Sequence, residues 1–191
     1  MGLTGGMGAG KSTALDALRD LGAAVLSTDR VVHELYRCDR VREALVGRWG
    51  EAVAPGGVVD RQAVAEHAFA GADERRWLEE TIWPLVGERV AVWLALARNT
   101  EPPARAAVVE MPLLFESGMD RVCDATIAVI ADEEVCRERL AERDQARTDE
   151  RRSRQLSQHE KAERATFVVR NDGSLEQLRD ELSSVLGKLG R

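Results

Sequence analysis

The sequence predicts an α/β protein built on a doubly wound, five-stranded parallel sheet. Three observations carry this expectation. Short apolar runs alternate with helical segments along the chain. A glycine-rich turn, GGMGAGKS at residues 5–12, joins the first apolar run to the first helix. Two insertions interrupt the alternation, one long and mostly helical and one rich in arginine and glutamate, and they suggest flaps over the strand ends where open α/β sheets bind ligands.

The predicted strands are short, mostly apolar runs bounded by turn residues, as buried strands of a parallel sheet are. In chain order they cover residues 1–4, 23–27, 105–111, 124–131 and 165–170.

Two helices are predicted from leucine spacing and from their end signals. The first covers residues 11–21 and stops at Gly22. The last begins at Ser174, which with Gln177 fits a capping box. The apolar face of this last helix is expected to contain Leu175, Leu178, Leu182, Val185, Leu186 and Leu189.

Composition narrows the classes of function. The 191 residues carry a net charge of −6, which argues against a broad nucleic-acid surface. Cys38, Cys123 and Cys136 show no CxxC spacing, so we expect neither a disulfide framework nor a zinc site, and the reducing cytoplasm is the default location. No run resembles a signal peptide or a membrane span, and no obligate protein partner is expected.

The glycine-rich turn fits the pattern G-x-x-x-x-G-K-[ST] of a phosphate-binding loop, or P-loop. The glycines Gly6, Gly8 and Gly10 would let main-chain N–H groups surround phosphate oxygens. The dipole of the following helix also favours an anion there. Lys11 would reach the β- and γ-phosphates, and the Ser12 hydroxyl would ligate Mg²⁺. The alternative is a turn that only caps a helix.

Two other nucleotide-binding motifs do not fit. A G-x-G-x-x-G pattern fails because its last position falls on Lys11 or Thr13. The string RNDG at residues 170–173 does not match the NKxD segment with which GTPases read their base.

Asp29 follows the second predicted strand, at the end of the sheet where the P-loop is expected. A carboxylate there would accept the proton of a hydroxyl attacking the γ-phosphorus, position that hydroxyl, or hold Mg²⁺ through water. Asp29 would equally serve as the N-cap of a helix beginning near Val31. The pattern alone leaves both roles open.

Beyond these features, the chain resembles the dephospho-coenzyme A kinases, P-loop kinases of the nucleoside-monophosphate-kinase-like group. The stretches that carry the resemblance are GLTGGMGAGKST, VLSTD, VVDRQAV, VVEMPLLFESGM, RLAERD, QLSQHEKAERA and NDGS. PLLFESG at residues 112–118 and the order of the pieces are the most specific. Members transfer the γ-phosphate of ATP to the ribose 3′-hydroxyl of dephospho-coenzyme A, the last step of coenzyme A synthesis. The resemblance implies a P-loop NTPase fold, with ATP as co-substrate and Mg²⁺ as cofactor.

The resemblance also implies three functional parts. Residues 1–29, 104–132 and 165–191 would form the nucleotide-binding core. Residues 30–103 would form a helical acceptor domain, and residues 133–164, rich in arginine and glutamate, a helical lid.

Site residues follow from the same resemblance. Asp29 is the expected general base, with Lys11 and Arg143 as catalytic cations. The expected ATP-binding residues are Gly6, Gly8, Ala9, Gly10, Lys11, Ser12, Thr13, Arg139, Arg143 and Asn171. Lys161 and Arg164 are weaker candidates for lid cations.

On the acceptor side, Asp29, Arg61, Leu113, Leu114 and Glu116 are expected to contact the substrate. The planar fork of an arginine suits a pyrophosphate. Core packing accounts equally well for the two leucines.

Glu110 would approach Mg²⁺ through water, or it is a buried acid satisfied by loop amides. Asp60 is expected to be a turn or N-cap residue.

The chain departs from the family pattern at a few positions. Ser27 stands where an acid is frequent, and Trp83 stands where a histidine commonly precedes the proline, which puts a substrate contact of that histidine in doubt. Trp49, Trp77, Trp83 and Trp93 all lie in the helical insertion, where a small local core is expected and a stacking surface is the alternative for one of them.

Two other functions fit part of the sequence. Another small-molecule or nucleotide kinase of the same fold would keep the loop and lid but lack PLLFESG. A nucleotide-switched binding module would need no acceptor domain, so the long helical insertion argues against it.

Overall fold

The computed structural model describes residues 1–141 and 155–189. Five strands in this part of the chain form one sheet in the order β2-β3-β1-β4-β5, and every neighbouring pair is parallel. The strands are β1 Gly2–Gly5, β2 Ala24–Ser27, β3 Ala107–Glu110, β4 Thr126–Ile130 and β5 Phe167–Arg170. The predicted five-stranded parallel sheet is confirmed.

The segments between the strands are mostly helical, as predicted. The α-helices are α1 Lys11–Asp20, α2 Thr28–Leu35, α3 Asp39–Trp49, α4 Arg61–Phe69, α5 Ala72–Ala97, α6 Glu133–Ala141, α7 Gln158–Arg164 and α8 Leu175–Leu189. Short 3₁₀ turns occupy Glu51–Val53, Pro55–Gly57 and Met119–Val122.

The main core lies around the central strands and the helices α1 and α8. Leu3 of β1 and Ile127 of β4 are fully buried there, together with Leu18 of α1 and Leu182 of α8. Burial of such apolar side chains is the main favourable contribution to folding. It holds β1, the strand that leads into the glycine-rich turn, at the centre of the sheet.

The end signals of α1 and α8 are confirmed, but one apolar position is not. Gly22 has φ 89° just beyond α1. Ser174 N–H donates to Gln177 Oε1 at 2.9 Å, and Gln177 N–H donates to Ser174 Oγ at 3.2 Å, which completes the predicted capping box. The prediction that Leu175 joins the apolar face is wrong, because this first helical residue is 54% exposed and the buried face begins at Leu178.

The residues group into two compact units, Met1–Ser27 with Leu96–Arg191, and Thr28–Ala95. In the second unit, Trp49 stacks on His67 with ring centroids 5.3 Å apart and meets the edge of Trp77 at 5.1 Å. The Trp49 indole N–H donates to Glu74 Oε2 at 2.7 Å. A local core is therefore confirmed for Trp49 and Trp77 and wrong for Trp83, which is 51% exposed on α5.

Within the described ranges, none of the helices has the length and apolar character needed to cross a bilayer.

Candidate active site

The glycine-rich turn lies between the end of β1 and the start of α1, as the P-loop pattern requires. Gly8 and Gly10 have φ of 78° and 86°, which L-residues rarely adopt. A Cβ on Gly8 would lie 2.6 Å from the carbonyl oxygen of Cys136. A Cβ on Gly10 would collide with the Asn171 amide nitrogen. Both positions therefore need glycine for backbone conformation and for close approach.

Lys11, at the first position of α1, folds back over this turn. Its Nζ donates to Gly6 O at 2.9 Å and to Gly5 O at 3.1 Å. Ser12 and Thr13 follow in the same helical turn and are exposed. The ammonium group thus lies at the turn where the sequence predicts the terminal phosphates.

Two of the predicted ATP-binding residues support the turn from other elements. Asn171, just after β5, is buried, and its Nδ2 donates to Ala9 O at 2.9 Å. Arg139 of α6 donates to Gly8 O at 3.4 Å and to Asn171 O at 3.1 Å. Arg139 and Asn171 therefore meet at the turn, while Arg143 lies outside the described residues.

Glu110, at the end of β3, is buried beside the end of β2. Its Oε2 accepts a hydrogen bond from Ser27 Oγ at 2.6 Å. A side-chain hydroxyl provides this contact, and both alternatives for Glu110, an approach to Mg²⁺ through water and contacts with loop amides, stay predictions. Ser27 is one of the departures from the family pattern, and its hydroxyl orients the carboxylate predicted to approach Mg²⁺ through water.

No cluster of three or more His, Cys, Asp or Glu side chains able to hold a metal ion occurs in residues 1–141 and 155–189. The predicted arrangement of Ser12 and a water-bridged Glu110 does not depend on such a cluster, and it stays a prediction.

Asp29 lies in the first turn of α2 and is exposed. The N-cap alternative is wrong, because the helix already begins at Thr28 and Asp29 is its second residue. Its carboxylate is accessible to a substrate hydroxyl, as a general base must be.

The residues of VVDRQAV begin α4. Asp60 is its N-cap, with Oδ1 accepting the Gln62 N–H at 2.8 Å, so the capping expectation is confirmed. Arg61 follows as the first helical residue and is exposed. Burial raises the pKa of Tyr36, and the nearby positive charge of Arg61 opposes that rise.

The PLLFE segment follows β3 and contains both buried and partly buried side chains. Leu114 is fully buried, and a Cβ on Gly2 would lie 2.8 Å from its Cδ2, which favours core packing for this residue. Leu113 is only partly buried. Glu116 Oε1 accepts the Leu156 N–H at 2.8 Å.

The position of Lys161 differs from the one expected of a lid cation. Its side chain is completely buried and pairs with Glu116 at 3.1 Å, so it is not a mobile lid cation. Sequence reasoning also missed Gln158, whose side chain binds both the N–H (3.0 Å) and the C=O (3.1 Å) of Ala131. A Cβ on Gly6 would collide with Gln158. The only signal for either residue was its place in the QLSQHEKAERA stretch.

Comparison with known proteins identifies the family. The family model described as CoaE, dephospho-CoA kinase, matches residues 1–177. The chain belongs to the dephospho-CoA kinase family. This confirms the predicted family and its enzyme class, a phosphotransferase with an alcohol acceptor, over another kinase of the same fold.

Two curated relatives and one solved structure match nearly the whole chain. The dephospho-CoA kinase of Symbiobacterium thermophilum is 37% identical over 189 residues, covering 96% of this chain and 78% of that protein. The one from Moorella thermoacetica is 37% identical over 196 residues, covering 100% and 92%. A crystal structure from Thermus thermophilus superposes with a TM-score of 0.79 at 33% identity, covering 98% and 96% of the two chains.

In this dephospho-CoA kinase family member, Gly8→Ala is expected to lower both thermal stability and ATP affinity. The left-handed backbone alone costs an alanine about 1–2 kcal/mol, and the added Cβ would meet the Cys136 carbonyl at 2.6 Å. Thermal unfolding and titration calorimetry with ATP measure the two effects.

Gly187→Ala is the matched control, because Gly187 lies inside α8 with nothing within 4 Å of an added Cβ. It is expected to stabilise the protein by about 0.4–1 kcal/mol and to leave ATP affinity unchanged. Equal behaviour of the two variants would contradict the close-approach explanation for Gly8.

Proposed function

We propose that this chain transfers the γ-phosphate of ATP to the ribose 3′-hydroxyl of dephospho-coenzyme A, giving coenzyme A and ADP. The observation that carries the proposal is the P-loop geometry at residues 5–12, with Lys11 folded over the turn, in a chain whose family match spans residues 1–177.

On the nucleotide side, the proposed ligands are the loop amides of Gly6 to Gly10, the Lys11 ammonium, and the hydroxyls of Ser12 and Thr13. Phosphoryl transfer spreads negative charge over the equatorial oxygens, which cations must stabilise. Arg139 is proposed as one of these cations, because its side chain already donates to Gly8 O in the loop. Arg143 is proposed as a further cation from the lid.

The donor set near the turn fits Mg²⁺, which prefers oxygen ligands and keeps several waters. Ser12 would hold the ion directly and Glu110 through water, and the hydrogen bond from Ser27 already fixes one Glu110 oxygen. When bound there, Mg²⁺ would supply positive charge that neutralises the phosphates.

On the acceptor side, Asp29 is proposed to accept the proton of the attacking hydroxyl. Arg61 would bind the anionic groups of the acceptor, and Leu113, Leu114 and Glu116 would border its site, Leu114 from within the core.

We also propose a division of the chain into functional parts. Residues 30–103 would form the acceptor domain and residues 133–164 a lid that excludes water from the reaction. A cytoplasmic location and the absence of a nucleic-acid partner are proposed from the scattered cysteines and the net charge of −6.

The test is incubation with Mg-ATP and single acceptors, followed by mass spectrometry for one added phosphate. The acceptors are dephospho-coenzyme A, a nucleoside monophosphate and shikimate, and coenzyme A itself is the matched control because its 3′-hydroxyl is already phosphorylated. We expect a product from dephospho-coenzyme A alone. Preferred phosphorylation of another acceptor, or ATP hydrolysis without any acceptor product, would contradict the proposal.

A further inference from the structure

Lys161 places an ammonium group in the interior of the first unit. The side chain is completely buried. Its three N–H donors meet three oxygens, namely Pro112 O, Glu116 Oε1 at 3.1 Å and Thr4 Oγ1 at 3.2 Å. Every donor of the ammonium group therefore has an acceptor within reach.

Such a buried charge is not explained by stability alone. Burial lowers the pKa of Lys161, and the paired Glu116 carboxylate opposes that shift. Replacing a buried ion pair by apolar residues of similar volume is often neutral or stabilising. A completely buried lysine therefore points to a requirement for defined positions of the groups it binds.

The three oxygens belong to segments that the proposed reaction uses. Thr4 lies in β1, immediately before the P-loop, and its own hydroxyl also donates to Pro112 O at 3.3 Å. Pro112 and Glu116 bracket the PLLFE segment proposed to border the acceptor. Glu116 Oε1 also receives the Leu156 N–H at 2.8 Å, from the segment that precedes α7.

The second oxygen of Glu116 is different. Oε2 is buried and has no hydrogen-bond partner among the described residues. A buried acceptor without a partner costs free energy, typically about 1–3 kcal/mol. Lys161 and Leu156 thus bind one oxygen of the carboxylate. The other oxygen is left to accept a hydrogen bond from a donor group of a bound substrate.

We propose that Lys161 is a positioning residue for acceptor binding, which acts through Glu116 and Pro112 and fixes residues 112–116 against the strand that carries the P-loop. The inference rests on the proposed function, since it assigns these residues to the acceptor. Lys161 itself does not touch either substrate.

Lys161→Met removes the charge and keeps an unbranched side chain of similar length. We expect the KM for dephospho-coenzyme A to rise about 10-fold, the size of one lost charge-assisted hydrogen bond, while the Kd for ATP changes less than about twofold. Lys188→Met, at an exposed position of α8, is the matched control and should leave both constants unchanged.

Non-additivity separates positioning from a general structural role. In the double variant Lys161→Met/Glu116→Gln, the rise in the acceptor KM should be smaller than the product of the two single-variant rises, because Lys161 acts in part through the Glu116 carboxylate. Multiplying effects, or equal loss of affinity for both substrates in Lys161→Met, would overturn the inference.

If Lys161→Met fails to fold, Thr4→Val is the alternative test. It removes one of the three oxygens that accept from the Lys161 ammonium group and changes the side-chain volume little. The expected result is a smaller rise in the acceptor KM at unchanged ATP affinity, and an unchanged acceptor KM would overturn the inference. A wild-type protein without activity on dephospho-coenzyme A would overturn the proposed function itself. An active wild type with an unaltered acceptor KM in Lys161→Met would overturn only the role of Lys161.

Discussion

Replacing Asp29 with asparagine is expected to lower kcat by about 10²–10⁴-fold, the usual contribution of a general base, while ATP affinity stays unchanged. Asparagine has nearly the same shape as aspartate, but its amide cannot accept the proton of the attacking hydroxyl. The exposed position of Asp29 in the first turn of α2 makes a folding defect from this change small. Initial rates with saturating dephospho-coenzyme A give kcat, and calorimetry with Mg-ATP gives the affinity.

Asp39→Asn provides the matched control. Asp39 is also an acid in the first turn of a helix, α3, where it pairs with Arg42 at 2.7 Å. Both substitutions remove one negative charge near a helix N-terminus, a loss of about 0.3–1 kcal/mol of helix stabilisation at most. Only Asp29→Asn should lose activity. If it keeps substantial activity, another group must take the proton.

Replacing Lys11 with alanine is expected to weaken ATP binding and to lower kcat/KM by about 10²–10³-fold, as the loss of one preorganised cationic or hydrogen-bonding group at developing charge does. Unlike Asp29, this ammonium group is proposed to contact the phosphates in the ground state and in the transition state, so both binding and catalysis should suffer. Calorimetry and steady-state kinetics at several ATP concentrations separate the two effects.

Lys188→Ala is the control for Lys11→Ala, because it removes the same charge from an exposed site on α8. The Nζ of Lys11 donates to Gly5 and Gly6 carbonyls, so circular dichroism and thermal unfolding should accompany the kinetics. Wild-type kinetics in a folded Lys11→Ala variant would refute the assignment of residues 5–12 as the phosphate-binding loop.

The sheet and the P-loop could be predicted because their signals are local. An apolar run, a set of glycines and a helix start at Lys11 stand next to one another in the sequence. The same is true of the Ser174–Gln177 capping box, which spans only one helical turn. Local patterns of this kind need no knowledge of the partner elements.

Features that depend on distant partners were missed or misjudged. A lysine among arginines and glutamates is typical of a solvated helix, yet Lys161 is buried because Thr4, Pro112 and Glu116 converge on it from other parts of the chain. By sequence alone, Ser27 is only a departure from the family pattern. Its bond to Glu110 follows from the β2–β3 register, which pairs residues 83 positions apart.

Leu175 and Trp83 are the opposite case, because they are expected to be buried and are exposed. Leu175 is predicted on the apolar face of a helix and Trp83 in a local core, yet each is about half exposed, at 54% and 51%. Hydrophobic periodicity identifies a face of a helix, but the neighbouring elements decide how far along that face burial extends.

The central place of β1 in the sheet also has a consequence for biosynthesis. Its two hydrogen-bonding neighbours are β3 and β4, whose pairing joins Gly2 to Val109 and to Thr126. During translation, β1 therefore lacks both neighbours until the segments around Val109 and Thr126 have also left the ribosome. Because such distant pairings slow folding and leave apolar segments exposed to aggregation, chaperone assistance should improve the yield of native protein.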